Sequence, residues 1–348
     1  MKSPLIPDSE NPKWIIAKII LEAIGSGRAK KTASRLKIPD VERFIDIMRI
    51  TMVADLFERS YSDFISELKD NEKLKTFMGV RKIPDLEYLY KLHSKLDINA
   101  ISTFFRGIFK VSKRGRQKGR RYILIDATPI KIDLNTWRNR RRIGKDGKPY
   151  KWSYYPSEGY YVGFKLIVAI DAENYELLGY ELYDGCPNDA IILIPLLEKL
   201  HSAKKMRMGD VIICDKGSSS TKNYITSINR FFVIPIIYPR MNTNMRKIDA
   251  NLVPPLDIWA GKGYLLDIWK KIRQEFLRLI EKWETFKEKR SRIEVLFDIV
   301  KNTLGLKRLH QYTGRSVEKR VCRTFHLAFY LIQLAEGMGI SARELVYW

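Results

Sequence analysis

The sequence has few cysteines, few histidines and no long apolar run, and these absences exclude several classes of protein. Only three cysteines occur among 348 residues, and none lies near another, which excludes a disulfide framework and indicates a reducing compartment. No CxxC pair and no HxxxH spacing is present, so a structural zinc site is not expected. The longest apolar runs, such as residues 190–197, are far shorter than the roughly 18 residues of a membrane span.

Acidic residues are also scarce relative to basic ones. Lys and Arg total 63 against 40 Asp and Glu, which gives a formal net charge of +23. Such an excess is hard to explain in a protein that acts on small neutral metabolites, and it predicts a polyanionic partner, nucleic acid first and an anionic membrane second. A membrane surface ranks lower because no amphipathic basic helix is obvious. The 45% hydrophobic content is typical of a folded globular chain.

The basic residues are concentrated in two segments. Residues 110–151 hold fifteen basic and three acidic residues, and residues 270–326 hold sixteen basic and seven acidic ones. A run of charge is most often a solvated face, but aromatic side chains lie within or beside the first segment and can stack on bases or sugars. We therefore expect this segment to contact DNA phosphates, chiefly through Arg138, Arg140, Arg141 and Arg142.

The pattern of apolar residues changes near residue 120 and predicts two domains. Apolar positions at helical spacing before it predict helices over 13–24, 40–57, 62–68, 71–77, 85–96 and 98–109. Residues 1–110 are therefore expected to form a helical domain that binds DNA ends, followed by a basic linker over 111–121. Residues 122–340 are expected to form a catalytic domain, with a basic insertion at about 133–160 and a short insertion at about 239–264.

The second region predicts a mixed sheet. Its expected strands are 122–126, 163–171, 176–183, 210–215 and 231–237, and its expected helices are 190–205, 221–229, 265–288, 291–304 and 326–336. The first three strands follow one another through short turns and are expected to be antiparallel, whereas the later strands arrive through helices and are expected to run parallel. The fold class is therefore α+β or α/β, with a helical start followed by a five-stranded sheet flanked by helices.

Three carboxylates stand out by their positions. Asp126 ends the first predicted strand, Asp215 ends the fourth, and Glu294 lies on a later helix with Arg290 and Lys301 at spacings of four and seven residues. If the two strands are neighbours, their carboxyl ends bring the two aspartates together. Converging carboxylates repel one another unless a cation lies between them, and Mg²⁺ prefers such oxygen ligands. An aspartate at a strand end is more often a turn former or a helix cap, and Asp171 has the same local setting.

These segments resemble a known family. The run KRSRIEVLFDIVKNTLGLKRLHQY, which begins at Lys289, resembles the Tyr-Arg-Glu-Lys signature of DDE transposases from bacterial and archaeal insertion sequences. The segments IDATPI (125–130) and CDKGSSS (214–220) resemble the blocks around that family's first and second catalytic aspartates. One position departs from the signature, because its tyrosine falls on Lys287 here.

The resemblance implies a fold, a site and a cofactor. The implied fold is an RNase H-like catalytic core, and the implied catalytic and metal-binding triad is Asp126, Asp215 and Glu294, which would hold two Mg²⁺ or Mn²⁺ ions per active site. It also implies that Arg290 and Lys301 contact DNA near the cleaved end. Lys216 and Lys287 adjoin these positions, and we expect them to bind DNA as well.

The expected function is therefore DNA transposition. The protein would cleave at the terminal inverted repeats of its own insertion sequence and join the 3′ ends to target DNA, as a homodimer on double-stranded DNA. We expect it in the cytoplasm of a prokaryote, associated with the nucleoid and not with a membrane. Two alternatives stay open at this point: a non-catalytic DNA-binding regulator derived from a transposase, and an RNase H-like nuclease.

Overall fold

The computed structural model describes residues 4–109, 120–132, 152–155, 159–256, 263–310 and 313–347. These residues form two compact units. The first contains the described residues of Met1–Ser112, Ile130–Pro149 and Asp298–Trp348, and the second contains those of Lys113–Pro129 and Tyr150–Phe297. None of the helices in the described ranges is long and apolar enough to cross a membrane.

The elements follow one another in an order that matches the predicted helical start and the later sheet. Their bounds are α1 Pro12–Gly25, α2 Gly27–Arg35, α3 Val41–Leu56, α4 Tyr61–Asp70, α5 Glu72–Met78, α6 Leu86–Lys95, α7 Ile98–Ile108, β1 Tyr122–Ile132, β2 Trp152–Tyr155, β3 Gly159–Asp171, β4 Leu177–Asp184, α8 Asp189–Ser202, β5 Val211–Cys214, α9 Thr221–Phe231, β6 Ile234–Ile237, α10 Met245–Ala250, α11 Gly263–Ile280, α12 Lys287–Asp298, β7 Arg308–Leu309 and α13 Gly314–Gly337.

Capping side chains set the starts of several helices. The Asp40 carboxylate accepts a hydrogen bond from the Arg43 backbone N–H at 3.0 Å and begins α3. Asp97 accepts from the Asn99 N–H at 2.9 Å and begins α7. Such caps satisfy backbone donors that have no partner within the helix. The short helix α2 was not predicted, because its sequence is mostly polar and charged.

The sheet has the mixed arrangement that the RNase H-like prediction requires. Strand β5 lies between β1 and β6 and runs parallel to both, whereas β3 pairs antiparallel with β4 and lies beside β1. All four residues of β5 are buried, as is typical of a parallel strand covered on both faces. The five predicted strands are all present. Two further strands join them: β2, which pairs antiparallel with β3, and the two-residue β7, which pairs parallel with β1.

Several predicted boundaries were wrong. Strand β1 does not end at Asp126 but continues to Ile132, because buried apolar residues at 130 and 132 extend it and its last residues pair with β7. The predicted helix 265–288 is broken, since α11 ends at Ile280 and a 3₁₀ turn over Trp283–Phe286 precedes α12.

The predicted helices 291–304 and 326–336 also differ from those observed. After α12 the backbone is π-helical over Ile299–Thr303, with the Leu304 N–H bonded to the Ile299 carbonyl at 2.9 Å. Helix α13 begins at Gly314, twelve residues before the predicted start, behind a capping box formed by Thr313 and Ser316. The first turns of α13 were not predicted, because their many basic residues interrupt the apolar spacing that indicates a helix.

The described residues from 298 onwards belong to the same compact unit as the N-terminal helices. A buried ionic cluster joins these segments. Arg323 of α13 donates from Nε to Asp55 Oδ2 of α3 at 2.8 Å, and Arg320 pairs with the same carboxylate. Arg323 Nη1 lies 2.9 Å from His93 Nε2 of α6, and burial together with the nearby positive charges lowers the pKa of His93.

Replacing the shared carboxylate should therefore destabilise this unit strongly. In Asp55→Asn, two guanidinium groups that are almost fully buried lose their counter-charge, and we expect the free energy of unfolding to fall by about 3–5 kcal/mol in urea titrations. The matched control is Glu72→Gln, whose carboxylate is 78% exposed and pairs with Lys75 at 3.1 Å. That change should cost less than about 1 kcal/mol. Equal losses in the two variants would contradict a structural role for the cluster.

Candidate active site

Two aspartates are brought together by the register of the parallel strands β1 and β5. Ile125 lies opposite Cys214 in this ladder, so Asp126 and Asp215 are the next residues of the two strands at the same edge of the sheet. The Asp126 side chain is 19% exposed and that of Asp215 is 37% exposed. The predicted meeting of these two carboxylates is therefore present. Asp171, by contrast, accepts a hydrogen bond from the Glu173 N–H at 3.0 Å and acts as a turn former.

Helix α12 supplies the third carboxylate and a cation. Arg290 and Glu294 are four residues apart on this helix, and Arg290 Nη1 lies 2.8 Å from Glu294 Oε1. The other guanidinium nitrogen, Nη2, lies 3.4 Å from Asp126 Oδ2 and 3.8 Å from Asp215 Oδ1. All three predicted carboxylates therefore converge on the guanidinium of Arg290.

The electrostatics of Asp126 reflect this setting. Burial raises the pKa of Asp126 to about 6, while the charge of Arg290 and a hydrogen bond from the Ala127 N–H to Oδ1 at 2.8 Å oppose the rise. The negative charges of Asp215 and Asp189 add to the rise. Asp126 is thus a carboxylate whose ionised form depends on a nearby positive charge.

The donor chemistry of the three residues fits a hard divalent cation, because all three offer carboxylate oxygens. As the side chains are arranged, no group of three or more His, Cys, Asp or Glu residues within the described ranges is placed to hold a metal ion. The positive charge that the three carboxylates share here is that of Arg290.

The remaining predicted site residues are more dispersed. Lys216 is exposed and begins the 3₁₀ turn that follows Asp215. Lys287 pairs with Glu284 at 3.2 Å and lies 4.9 Å above the Trp283 ring. Lys301 lies in the π-helical turn, so the predicted α-helical stripe through Arg290, Glu294 and Lys301 was wrong beyond Asp298. The expected phosphate contacts Arg138, Arg140, Arg141 and Arg142 lie outside the described residues.

Sequence reasoning missed an ion pair beside the site. Lys165, which is buried on β3, lies 2.7 Å from Asp189 Oδ1 and donates to the Pro187 carbonyl at 2.9 Å. A Cβ at Gly217 would come within 2.6 Å of Asp189 Oδ2, which explains the glycine two residues after Asp215. An inward-facing lysine in an otherwise apolar strand was the available signal.

An aromatic ring also adjoins Arg290. The guanidinium carbon lies 5.8 Å from the ring centroid of Tyr238, the residue after β6, and burial raises the pKa of Tyr238 to about 12. The site thus includes a tyrosine beside the arginine, although position 287, where the signature has its tyrosine, is a lysine. Nothing in the local sequence around Tyr238 indicates this contact.

Asp126→Asn should change how stability depends on pH. Because the folded-state pKa of Asp126 is about 6 against 3.8 for an unperturbed aspartate, its ionisation is harder in the folded chain than in the unfolded one. Its contribution therefore lowers the free energy of unfolding as pH rises from about 4 to about 6, by at most about 3 kcal/mol, and is constant above that range. In urea titrations with EDTA from pH 4 to 8, the free energy of unfolding should decline less with rising pH in Asp126→Asn than in the wild type. Equal declines would contradict the raised pKa.

Comparisons with known proteins identify the family of the chain. Residues 117–330, more than half of the chain, match the family model described as Transposase DDE domain. No curated protein matches the chain. Among solved structures, the piggyBac transposase synaptic complex with hairpin DNA has 10% identity and a TM-score of 0.43, with 98% of this chain and 79% of that chain covered. The Mos1 mariner paired end complex with Mn has 12% identity and a TM-score of 0.15, with 81% of each chain covered. On the family match, the chain belongs to the DDE-domain transposases.

Proposed function

We propose that the protein is an active transposase that cleaves DNA at the terminal inverted repeats of its insertion sequence and joins the 3′ ends to target DNA. Asp126, Asp215 and Glu294 are its catalytic residues. The observation that carries this proposal is the convergence of three carboxylates on Arg290 at the edge of the sheet, inside the region that matches the family model.

The proposed cofactor is a pair of Mg²⁺ or Mn²⁺ ions held by the same three carboxylates. When bound, such ions supply positive charge that activates the attacking oxygen and stabilises the leaving oxygen in phosphoryl transfer. The raised pKa of Asp126 supports this assignment, since a carboxyl group buried beside two other acids ionises readily only next to a cation.

The chain's own residues hold DNA at this site. Arg290 is placed to exchange its carboxylate partners for a DNA phosphate, and the exposed Lys216 and Lys287 lie on the two segments that carry Asp215 and Glu294. Lys301 and the four arginines Arg138, Arg140, Arg141 and Arg142 are proposed as further phosphate contacts. Each of these side chains neutralises backbone charge without reading the sequence.

The two reactions are displacements at phosphorus. In the first, water attacks the phosphorus at the repeat boundary, the bond to the 3′ oxygen breaks, and a 3′-hydroxyl and a 5′-phosphate are left. In the second, that 3′-hydroxyl attacks a target phosphorus and displaces a target 3′ oxygen. Because both steps exchange one oxygen for another at a phosphodiester, a single set of groups serves both. Joining two ends requires two sites, so we propose a homodimer on DNA, acting in the nucleoid.

The decisive experiment is a cleavage and joining assay. Purified protein is incubated with Mg²⁺ or Mn²⁺ and labelled duplexes that carry the terminal repeats flanking its gene. We expect cuts at the repeat boundary and joined products with the wild type, and losses of at least about 10³-fold in Asp215→Asn and Glu294→Gln. The matched control is Asp171→Asn, a strand-end aspartate that only forms a turn, and it should cut within a few-fold of the wild type.

The outcomes also separate the alternatives. Tight binding of the repeats without cutting under either metal would favour a regulator. Cutting that depends on Asp215 but yields no joined product would favour a nuclease. Cutting that survives in Asp215→Asn would overturn the proposed triad.

Metal binding can be measured without any DNA. At a Mn²⁺ concentration 100 times its Kd, the folded protein should gain about 2.7 kcal/mol of stability relative to EDTA. We expect this gain to be largely lost in Asp126→Asn and Asp215→Asn, because each removes a carboxylate ligand, and to be kept in Asp171→Asn. Thermal unfolding with and without Mn²⁺ provides the measurement, and an equal gain in all four proteins would place the ion elsewhere.

A further inference from the structure

A polar cavity of about 460 Å³ lies beside the loop that follows Asp215. Its walls come from the start of α9, from the segment between β6 and α10, and from the first turn of α10. The lining residues offer hydroxyls, amides and two cations, and no described lining residue carries a carboxylate; those used below are Ser219, Ser220, Thr221, Arg240, Thr243 and Lys247. The chemistry of this lining is that of an anion site.

The cavity is tied to the Asp215 loop by hydrogen bonds. Arg240 donates from Nε to the Lys216 carbonyl and from Nη2 to the Gly217 carbonyl, both at 3.1 Å. Thr243 Oγ1 accepts from the Arg240 backbone N–H at 2.9 Å and lies 3.3 Å from Ser219 Oγ. The two walls are therefore fixed relative to each other and to the residues that directly follow Asp215.

Several positive groups face this cavity. Arg240 uses two of its five side-chain N–H groups on carbonyls, and in the described part of the chain the Lys247 ammonium has no acidic partner. The eleven-residue helix α9 begins at Thr221 behind the Ser220 cap, so its N-terminus adds partial positive charge. A cavity of this size has room for a phosphodiester group.

We propose that this cavity, the Arg240–Lys247 pocket, binds a backbone phosphate of the DNA strand next to the scissile phosphate. The proposal rests on the proposed function and adds a binding site to it. Because Arg240 donates to the carbonyls of Lys216 and Gly217, the two residues directly after Asp215, a phosphate held here would position the strand against the catalytic carboxylates. Hydroxyls, cations and a helix N-terminus bind phosphate and not bases, so the contribution of the pocket to DNA affinity should not depend on the DNA sequence.

The first test compares two neighbouring cations of the same helix. Lys247→Glu places an acid in the pocket, whereas Arg246→Glu makes the same charge change at an exposed residue outside its lining. Fluorescence anisotropy would measure the affinity for a terminal-repeat duplex and for an unrelated duplex over a range of salt concentrations. We expect Lys247→Glu to weaken both duplexes by about 10-fold or more and to reduce the slope of log K against log salt by about one, with a smaller effect of Arg246→Glu. Equal losses of DNA affinity in Lys247→Glu and Arg246→Glu would overturn the proposal that the pocket binds phosphate.

A second test needs no charge reversal. Thr221→Val removes one hydroxyl of the lining and should weaken both duplexes by about 3-fold, with unfolding unchanged because Thr221 is exposed. Arg240 is not a suitable test position, since it also fixes the Asp215 loop. Wild-type affinity in Thr221→Val would count against the pocket.

The third test locates the phosphate. Single neutral methylphosphonates are placed along the duplex, and each is measured with the wild type and with Lys247→Gln. At one position next to the cut, the methylphosphonate should weaken binding by the wild type but should not weaken binding by Lys247→Gln any further. Such non-additive losses are expected when Lys247 contacts that phosphate directly. Additive losses at every position would overturn the proposal. Cleavage that depends on Asp215, measured in parallel on unmodified DNA, reports separately on the proposed function.

Discussion

The candidate site depends on the pairing of one guanidinium with three carboxylates. Parallel strands bring Asp126 and Asp215 to the same edge of the sheet, and α-helical spacing places Glu294 one turn from Arg290. Burial raises the pKa of Asp126 to about 6, and the nearby negative charge of Asp215 adds to the rise. A cation among them is therefore a condition for the arrangement, and the chain supplies one itself through Arg290.

The first unit contains a similar pairing with a different consequence. Asp55 lies between Arg320 and Arg323, and all three side chains are less than 5% exposed. Nothing from solvent can exchange with these charges, so the cluster acts only in stability and orientation. Arg290 and Glu294 are 20% and 52% exposed, which leaves the charges of the candidate site open to exchange with a metal ion or a phosphate. The difference in burial separates a structural ion cluster from a site that can bind.

Local sequence patterns predicted the parts of the site that follow the regular repeat of a single strand or helix. Aspartates ending apolar runs predicted the meeting of Asp126 and Asp215, and four-residue spacing predicted that Arg290 and Glu294 share one face of a helix. The prediction that Lys301 lies on the same helix face was wrong, because the π-helical turn has a different number of residues per turn from an α-helix. Contacts such as that of Tyr238 with Arg290 join segments far apart in sequence and follow no period. The same holds for Asp55 and Arg323, 268 residues apart.

The chemistry around the three carboxylates bears on where sequence recognition can reside. In the proposed function, the cations near Asp215 and Glu294 and the hydroxyls of the Arg240–Lys247 pocket bind phosphate, and phosphate contacts position DNA without specifying its bases. A transposase must accept its own repeat end in the first step and unrelated target DNA in the second, at the same carboxylates. A site that binds DNA without reading its base sequence meets both requirements. Recognition of the repeats is then left to other parts of the chain, which fits the proposed role of the N-terminal helices in binding DNA ends.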